Sequence, residues 1–230
     1  MKKINFLLGI SFICLIAVSY SSCVNQQHEK DGLTIYKNYA KTKLTAYVEG
    51  LNKSDYSNEN WEEIIKNKNT GERNISVSVN KTEVNAALNT ALKDIHMVDY
   101  KGRDFILIIL VEETTVRYGK DFIVNVCLRN RSGVDVEIFY LHSPFNAHIA
   151  NWSDISFPPL DMPLQPDVLT IENGESFHET RHLRSMGYCD PSAETWTPIP
   201  LPLGNHELKF RVIIQQEVEV WSNPVLLTVY

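Results

Sequence analysis

The feature that most constrains the fold is a change in hydrophobic period at Asp104. Before this residue, apolar side chains recur at spacings of three and four, as in amphipathic helices. After it, they alternate with polar residues, as in half-buried strands. A helical pattern cannot lie stably in a sheet, nor a two-residue pattern in a helix. The chain is therefore predicted to be α+β, with a mainly helical N-terminal region over 33–101 and an all-β sandwich over 104–230.

Three helices and one short strand are expected in the N-terminal region. The first and third helices each carry an apolar stripe, formed by Tyr36, Tyr39, Ala40, Leu44, Tyr47, Val48 and Leu51 and by Val84, Ala87, Leu88, Ala91, Leu92 and Ile95. Asn80 is placed to cap the third helix, with Glu83 reaching back in a capping box. A shorter helix is predicted over Glu59–Lys66. A brief strand is predicted from the alternating residues Ile75, Val77 and Val79. The region is either a small domain or an elaboration packed on the β part.

About seven short strands without crossover helices predict a β-sandwich. They are expected over Phe105–Glu112, Asp121–Asn130, Asp135–Leu141, Val168–Ile171, Ser176–Leu183, Asn205–Gln215 and Val218–Val229. Asn223-Pro224 interrupts the last of these, as in an edge strand or a bulge.

Short motifs in the β part carry a family resemblance. They are Gly119-Lys120, the strand end Leu128-Arg129-Asn130, the turn Gly174-Glu175-Ser176, the run Gly204-Asn205-His206, and the closing Trp221-Ser222-Asn223. Together they resemble the immunoglobulin-like domains of secreted bacterial proteins, over roughly Glu113 to Tyr230. The early part is also similar, more loosely, to intracellular proteinase inhibitors of the BsuPI-like type. The resemblance implies an immunoglobulin-like sandwich but no particular function, because such folds host unrelated activities.

The first 22 residues follow the pattern of a secretory signal peptide. Lys2 and Lys3 form a positive start, the run from Ile4 to Val18 is mostly apolar, and small polar residues follow. The apolar run is shorter than the roughly 20 residues that span a bilayer as a helix, so it is read as a cleaved signal. An ordinary secretory signal with a chance cysteine is the alternative.

Ser21-Ser22-Cys23 resembles the lipobox of bacterial lipoproteins. The resemblance implies cleavage before Cys23 and attachment of acyl chains, such as palmitate, to this residue. We therefore expect a signal peptide over 1–22 and a lipidated tether over 23–32. The body would lie in the periplasm or at the cell surface, anchored to a membrane of the cell envelope by its lipid.

The charge of the chain argues against nucleic-acid binding. Removal of Lys2 and Lys3 with the signal peptide shifts the formal net charge from −6 to −8. Such a body lacks the clustered basic residues that contact phosphate backbones.

Cys127 and Cys189 are the two cysteines left after processing. Disulfides form in an exported compartment, so the pair can be bridged. Two thiols alone do not establish the geometry of a bridge, and free cysteines are the alternative.

The stretch His178-Glu179-Thr180-Arg181-His182 matches the H-E-x-x-H pattern of zinc proteases. On a helix, the two histidines could share a zinc ion while Glu179 activates water. The stretch lies in a predicted strand, however, where residues four apart are separated by about 13 Å, too far for both imidazoles to bind one metal. We therefore predict an exposed strand face, with no catalytic residues, metal or cofactor.

Two long connections between predicted strands are candidate binding loops. One runs from His142 to Asp167 and the other from Arg184 to Gly204. Rigid loops rich in proline and aromatic residues lose little entropy when they bind a partner. The candidate anchors are Phe145, Trp152, Phe157, Tyr188 and Trp196. Alternatively, these aromatic residues cover the end of the sandwich.

The sequence favours a non-enzymatic, lipid-anchored binding module of the cell envelope, whose partner is a protein or a glycan. Inhibition of a peptidase is one specific form of this function, implied only by the BsuPI-like similarity. A zinc-dependent hydrolase using His178, Glu179 and His182 is the first alternative. A structural subunit of an envelope assembly is the second.

Overall fold

The computed structural model describes residues 31–100, 102–140, 144–149, 167–184, 186–187, 199–215 and 217–230. The described helices precede the described strands, so the predicted α+β order is confirmed. Helix α1 covers 31–49, α2 covers Asn58–Val77 and α3 covers Lys81–Met97, with a 3-10 turn at Lys53–Asp55. The predicted signal peptide and Cys23 lie outside the described residues. Residues 31 and 32, predicted to end the tether, are already helical.

Among the described residues, no helix combines the length and the apolar character needed to cross a membrane.

Helix α2 is longer than the sequence predicts. It passes the expected end at Lys66 and continues to Val77, so the predicted strand at Ile75, Val77 and Val79 is wrong. The reason is packing against α1 and α3. A Cβ atom at Gly71 would lie 2.5 Å from the Cβ of Ala91 and 2.9 Å from Leu44. This close approach keeps α2 helical through a glycine, and it buries Ile75 while the two valines stay exposed.

Helix α3 begins as predicted. The Asn80 side-chain oxygen accepts a hydrogen bond from the Glu83 backbone N–H at 2.8 Å. The Glu83 carboxylate in turn accepts from the backbone N–H of Val79 at 2.9 Å. Two backbone donors that the helix cannot satisfy internally are thus paired by side chains.

Each strand predicted after Asp104 has a counterpart in the structure. The described strands are β1 Phe105–Val111, β2 Thr115–Val116, β3 Asp121–Asn130, β4 Val136–Tyr140, β5 Asn146–Ile149, β6 Asp167–Ile171, β7 Ser176–Arg184, β8 Met186–Gly187, β9 Ile199–Pro200, β10 Gly204–Ile214, β11 Val218–Trp221 and β12 Val225–Val229. The sequence does not predict β2, β5, β8 and β9, because segments of two to four residues are too short to show an alternating pattern.

Two sheets enclose the core of the β part. The first has the order β1-β3-β7 and is antiparallel. In the second, β10 pairs with β5 on one edge and with β11 and β12 on the other, and β2 runs parallel to β12. Strands β4 and β6 form a separate pair, as do β8 and β9. Buried residues from both sheets share one hydrophobic cluster, including Leu107, Val124, Leu128, Phe210, Val212 and Leu227. The β part is therefore sandwich-like.

The predicted interruption of the last strand is a bulge between β11 and β12. Arg211 faces Trp221 and Leu208 faces Val225, so residues 222–224 oppose only two residues of β10. The Asn223 side chain, 1% exposed, accepts a hydrogen bond from the backbone N–H of Ile109 at 2.9 Å and donates to its carbonyl at 3.1 Å. The bulge thereby ties β11 and β12 to β1 in the other sheet.

The helices pack on the sandwich through strand β12. Asn89 on α3 accepts from the backbone N–H of Leu226 at 2.8 Å and donates to its carbonyl at 3.1 Å. The Leu226 side chain is buried in the cluster formed by the helices. Tyr36 on α1 donates to Asn85 on α3, whose amide donates to Thr228 on β12. The helices are therefore packed on the sandwich-like β part through strand β12.

Candidate functional site

The H-E-x-x-H stretch lies on strand β7, as predicted. His178 and His182 are both exposed, and they face Cys127 and Ile123 of β3 in the register of the first sheet. Extended backbone separates residues four apart by about 13 Å, so these two imidazoles cannot share one metal ion. Among the described residues, no three histidine, cysteine or acidic side chains form a group able to hold a metal.

Phe145 is not a surface anchor. It is fully buried in the core of the sandwich, with its ring 6.0 Å from the ring of Phe177. The prediction was wrong because residues 146–149 of the expected loop form β5, which pairs with β10 and draws Phe145 inward. The other candidate anchors, Trp152, Phe157, Tyr188 and Trp196, lie outside the described residues.

Cys127 is half-buried and forms no disulfide with another described residue, and its sulfur lies 3.9 Å from the Nε2 atom of His178. Burial raises the pKa of this thiol, so the neutral form is favoured. Cys189 lies outside the described residues, and its bridge to Cys127 stays a prediction.

A cleft of about 810 Å³ opens where the helices meet the sandwich. The C-terminal ends of α1 and α3, the 3-10 turn and the segment around Asp104 form one side, and β10 and β11 form the other. This volume falls in the range of roughly 300–1,000 Å³ that is typical of ligand sites. The side chains that give the cleft its chemistry are aromatic or charged: Tyr47, Asp55, Tyr56, His96, Tyr100, Arg103, Asp104, His148, Lys209, Glu219 and Trp221.

A partly buried hydrogen-bond chain forms the base of the cleft. Burial, with the nearby Arg103 cation, lowers the pKa of His96 to about 3, so the imidazole is neutral. One ring nitrogen, Nε2, lies 3.1 Å from the Leu107 carbonyl and must donate to it. The other, Nδ1, therefore accepts from the Tyr47 hydroxyl at 3.0 Å. This chain fixes Tyr47 between α3 and β1.

Arg103 closes the C-terminal end of α3. Its Nη1 atom donates to the carbonyl of His96 and, at 3.2 Å, to the carbonyl of Val98. Its guanidinium carbon lies 5.1 Å from the centre of the Tyr100 ring. A cation near the last carbonyls of a helix is favourable because the helix dipole is negative there. Arg103 is nevertheless only 8% exposed, which is unusual for an arginine.

A cluster of aromatic rings flanks Arg103. The Tyr56 ring packs 5.6 Å from Tyr100 and 5.9 Å from Trp61, and the Lys53 amine lies 5.9 Å from the centre of the Trp61 ring. Tyr100 is 39% exposed, so part of its ring faces solvent. The cluster offers rigid, flat surface to a ligand at little cost in conformational entropy.

The opposite wall is the outer face of the second sheet. Trp221, 37% exposed, packs edge-on against the His148 ring at 5.4 Å, and the Arg211 guanidinium lies 5.7 Å from its centre. Arg211 is also paired with Glu219 at 3.0 Å. Its neighbours hold the indole in place, so this wall too presents an ordered aromatic surface.

Sequence reasoning did not find this site. Its residues come from α1, α3, β5, β10, β11 and connecting segments that include the 3-10 turn, and no local motif joins them. One signal was available, because Arg103 and Asp104 lie at the change of period and ligand pockets favour the junctions between structural units.

No protein-family model matches the chain, and no curated protein matches it. Several solved structures resemble part of the chain at low similarity. The CARDB domain of a Pyrococcus furiosus protein, solved in complex with di-metal ions, shares 12% identity at a TM-score of 0.32, over 55% of this chain and 92% of that one. The sporulation control protein Spo0M of Bacillus subtilis shares 12% identity at 0.36, over 55% and 49%. A β-glucosidase of Listeria innocua shares 13% identity at 0.32, over 59% and 17%. Structural similarity with TM-scores and sequence identities this low carries no information on function.

Proposed function

We propose that this protein is a non-enzymatic, lipid-anchored binding module of the bacterial cell envelope, and that it holds a glycan segment in the cleft between its helices and its sandwich. One observation carries the proposal. The cleft of about 810 Å³ has exposed aromatic faces on both walls and charged side chains of both signs between them.

This mixture of side chains suits a sugar better than an apolar ligand. A sugar ring has apolar C–H faces that pack on aromatic rings such as Trp221 and Tyr100. Its hydroxyl groups both donate and accept hydrogen bonds. Asp55 and Glu219 can accept from hydroxyl groups, Lys209 can donate to them, and His148 can do either, according to its tautomer. An apolar ligand would cover these charged groups without offering them hydrogen bonds, which costs free energy.

We further infer that the sandwich is immunoglobulin-like. The three-stranded sheet β1-β3-β7, the antiparallel pairing of β10 with its C-terminal neighbours, and the parallel pairing of β2 with β12 support this inference. In such a fold, the helices would be an addition that supplies one wall of the cleft.

The zinc-hydrolase alternative receives no support from strand β7, where His178 and His182 are too far apart to share a metal. Peptidase inhibition would be a specific form of binding, and it would need a surface other than the glycan cleft.

The proposal is tested by probing a glycan array with the full-length protein and two variants. Trp221→Ala removes the aromatic face from one wall, and Tyr118→Ala is the control because Tyr118 is 54% exposed and does not line the cleft. We expect Trp221→Ala to weaken glycan binding by about 2 kcal/mol, as loss of a central aromatic contact does. Tyr118→Ala should bind as the wild type does. Equal binding by both variants would exclude the cleft as the glycan site.

A further inference from the structure

We propose that the cleft recognises the carboxylate of an acidic sugar, and that the guanidinium of Arg103 binds it. This inference rests on the proposed function, because it names the chemical group of the glycan that the cleft would hold. Its starting point is the position of Arg103, which lines the cleft although the residue is only 8% exposed.

The charge of Arg103 is not neutralised by the protein around it. Only Nη1 is hydrogen-bonded, and its two acceptors, the carbonyls of His96 and Val98, are uncharged. Among the described residues, Nε and Nη2 have no hydrogen-bond partner, and no carboxylate forms an ion pair with the guanidinium. Asp99, an acid near enough to interact with it, is paired with Arg131 at 2.8 Å.

Burial without a counter-ion is unfavourable for Arg103. Desolvation lowers the pKa of the guanidinium, which means that its charged form is penalised in the folded protein. A buried charge is normally paired, because removing it from water is otherwise unfavourable. An anion bound in the cleft would supply the missing partner.

The free edge of the guanidinium matches a carboxylate. Nε and Nη2 present parallel N–H groups along one edge of the planar guanidinium, and a carboxylate accepts two such hydrogen bonds at once. The single charge of the guanidinium also matches that of a carboxylate. Asp55, Asp104 and Glu219 line the same cleft, so a dianion such as phosphate would meet more repulsion than a monoanion.

The surroundings of Arg103 suit the ring that would carry this carboxylate. Tyr100 lies against the guanidinium, with its ring centre 5.1 Å from the central carbon, and Tyr56 packs on Tyr100. A sugar ring placed beside the bound carboxylate would therefore contact aromatic surface. Trp221 and His148 on the facing wall would contact the rest of the glycan.

The test uses the full-length protein and three small probes, with binding measured by calorimetric titration. The probes are glucuronic acid, glucuronamide, which is its neutral counterpart, and inorganic phosphate. We expect saturable binding of glucuronic acid and at least tenfold weaker binding of glucuronamide, because the charge-assisted hydrogen bonds are lost. Phosphate should not compete with glucuronic acid. This comparison uses the wild-type protein, so it does not depend on any variant folding.

Variants of Arg103 then locate the binding. Arg103→Gln should weaken glucuronic acid binding at least tenfold, and Arg103→Lys should weaken it less, because it keeps the charge and loses the two-donor edge. Arg117→Gln, at an exposed arginine outside the cleft, should bind as the wild type does. Because Arg103 also closes α3, melting curves establish that each variant is folded.

Equal binding of glucuronic acid and glucuronamide would overturn the inference, as would unchanged binding by folded Arg103→Gln, competition by phosphate, or no saturable binding of glucuronic acid. The proposed function is tested separately. If neutral glycans bind and lose affinity in Trp221→Ala, the glycan cleft stands and only the role of Arg103 fails. If Trp221→Ala leaves all glycan binding unchanged, the proposed function fails as well.

Discussion

Several buried or partly buried polar side chains in this protein take the place of backbone groups as hydrogen-bond partners. Asn89 and Asn223 each pair with both the N–H and the carbonyl of one residue, Leu226 and Ile109 respectively. His96 connects the Leu107 carbonyl to Tyr47. Buried backbone groups are costly when unpaired, so these side chains stabilise the junctions at which regular hydrogen bonding stops.

His96 should make the stability of the protein depend on pH. Its pKa is lowered from 6.5 to about 3 in the folded state, so between these values the unfolded chain binds a proton that the folded protein does not. The stabilisation is complete above the unfolded pKa and is lost as the pH falls below it. When the pH falls from 7 to 5, the shifted pKa of His96 alone should lower the free energy of unfolding by about 2 kcal/mol.

Urea unfolding at these two pH values measures the effect. His96→Gln has no titrating group and should show a correspondingly smaller loss of stability at pH 5. His178→Gln is the control, because His178 is exposed on β7, and it should keep the wild-type dependence. An unchanged pH dependence in His96→Gln would show that another group causes it.

At the scale of the elements, the bulge between β11 and β12 links the two sheets. Asn223→Ala would leave the N–H and carbonyl of Ile109 buried without these partners. We expect the free energy of unfolding to fall by about 2–4 kcal/mol, since each unsatisfied buried group costs about 1–3 kcal/mol. Urea denaturation measures this free energy. As a control, Asn146→Ala, at an exposed position on β5, should change it by less than about 0.5 kcal/mol. A similarly small effect of Asn223→Ala would mean that the bulge does not depend on its side chain.

The strands that the sequence predicts well are those with strict alternation. The predicted strand Asp121–Asn130 coincides with β3, whose buried residues are every second one, and Ser176–Leu183 is one residue shorter than β7. Local pattern determines such strands because one face must be buried. The sequence pattern also correctly predicted that the H-E-x-x-H stretch lies on a strand, which is β7.

The errors occur where distant contacts decide the local structure. Helix α2 continues past Lys66 because Gly71 packs against Ala91, which is 20 positions away and invisible to a local pattern. Strand β5 forms because β10 offers an edge to pair with, and this pairing buries Phe145. The cleft could not be predicted for the same reason, since its walls come from segments as distant as Tyr47 and Trp221.

At the scale of the whole molecule, the proposed anchor places the cleft outside the cytoplasm, where envelope glycans occur. Cys23 lies outside the described residues, and its acylation stays a prediction based on the resemblance of Ser21-Ser22-Cys23 to a lipobox. Cys23→Ser should release the protein from the membrane fraction, because the acyl chains are the proposed source of membrane affinity. Cell fractionation followed by immunoblotting measures how much of the protein remains with the membrane. Membrane retention of Cys23→Ser would contradict the lipid anchor.

The central claim is that the ligand binds between the helices and the sandwich. The most direct test is hydrogen exchange of the full-length protein, with and without the tightest glycan found on the array. Binding in the cleft should slow exchange on both of its walls, in peptides covering 50–56, 99–105 and 218–222, because a bound ligand suppresses local opening. Protection confined to 150–166 and 185–198, the segments that contain Trp152 and Trp196, would show instead that the ligand binds the loops and not the cleft.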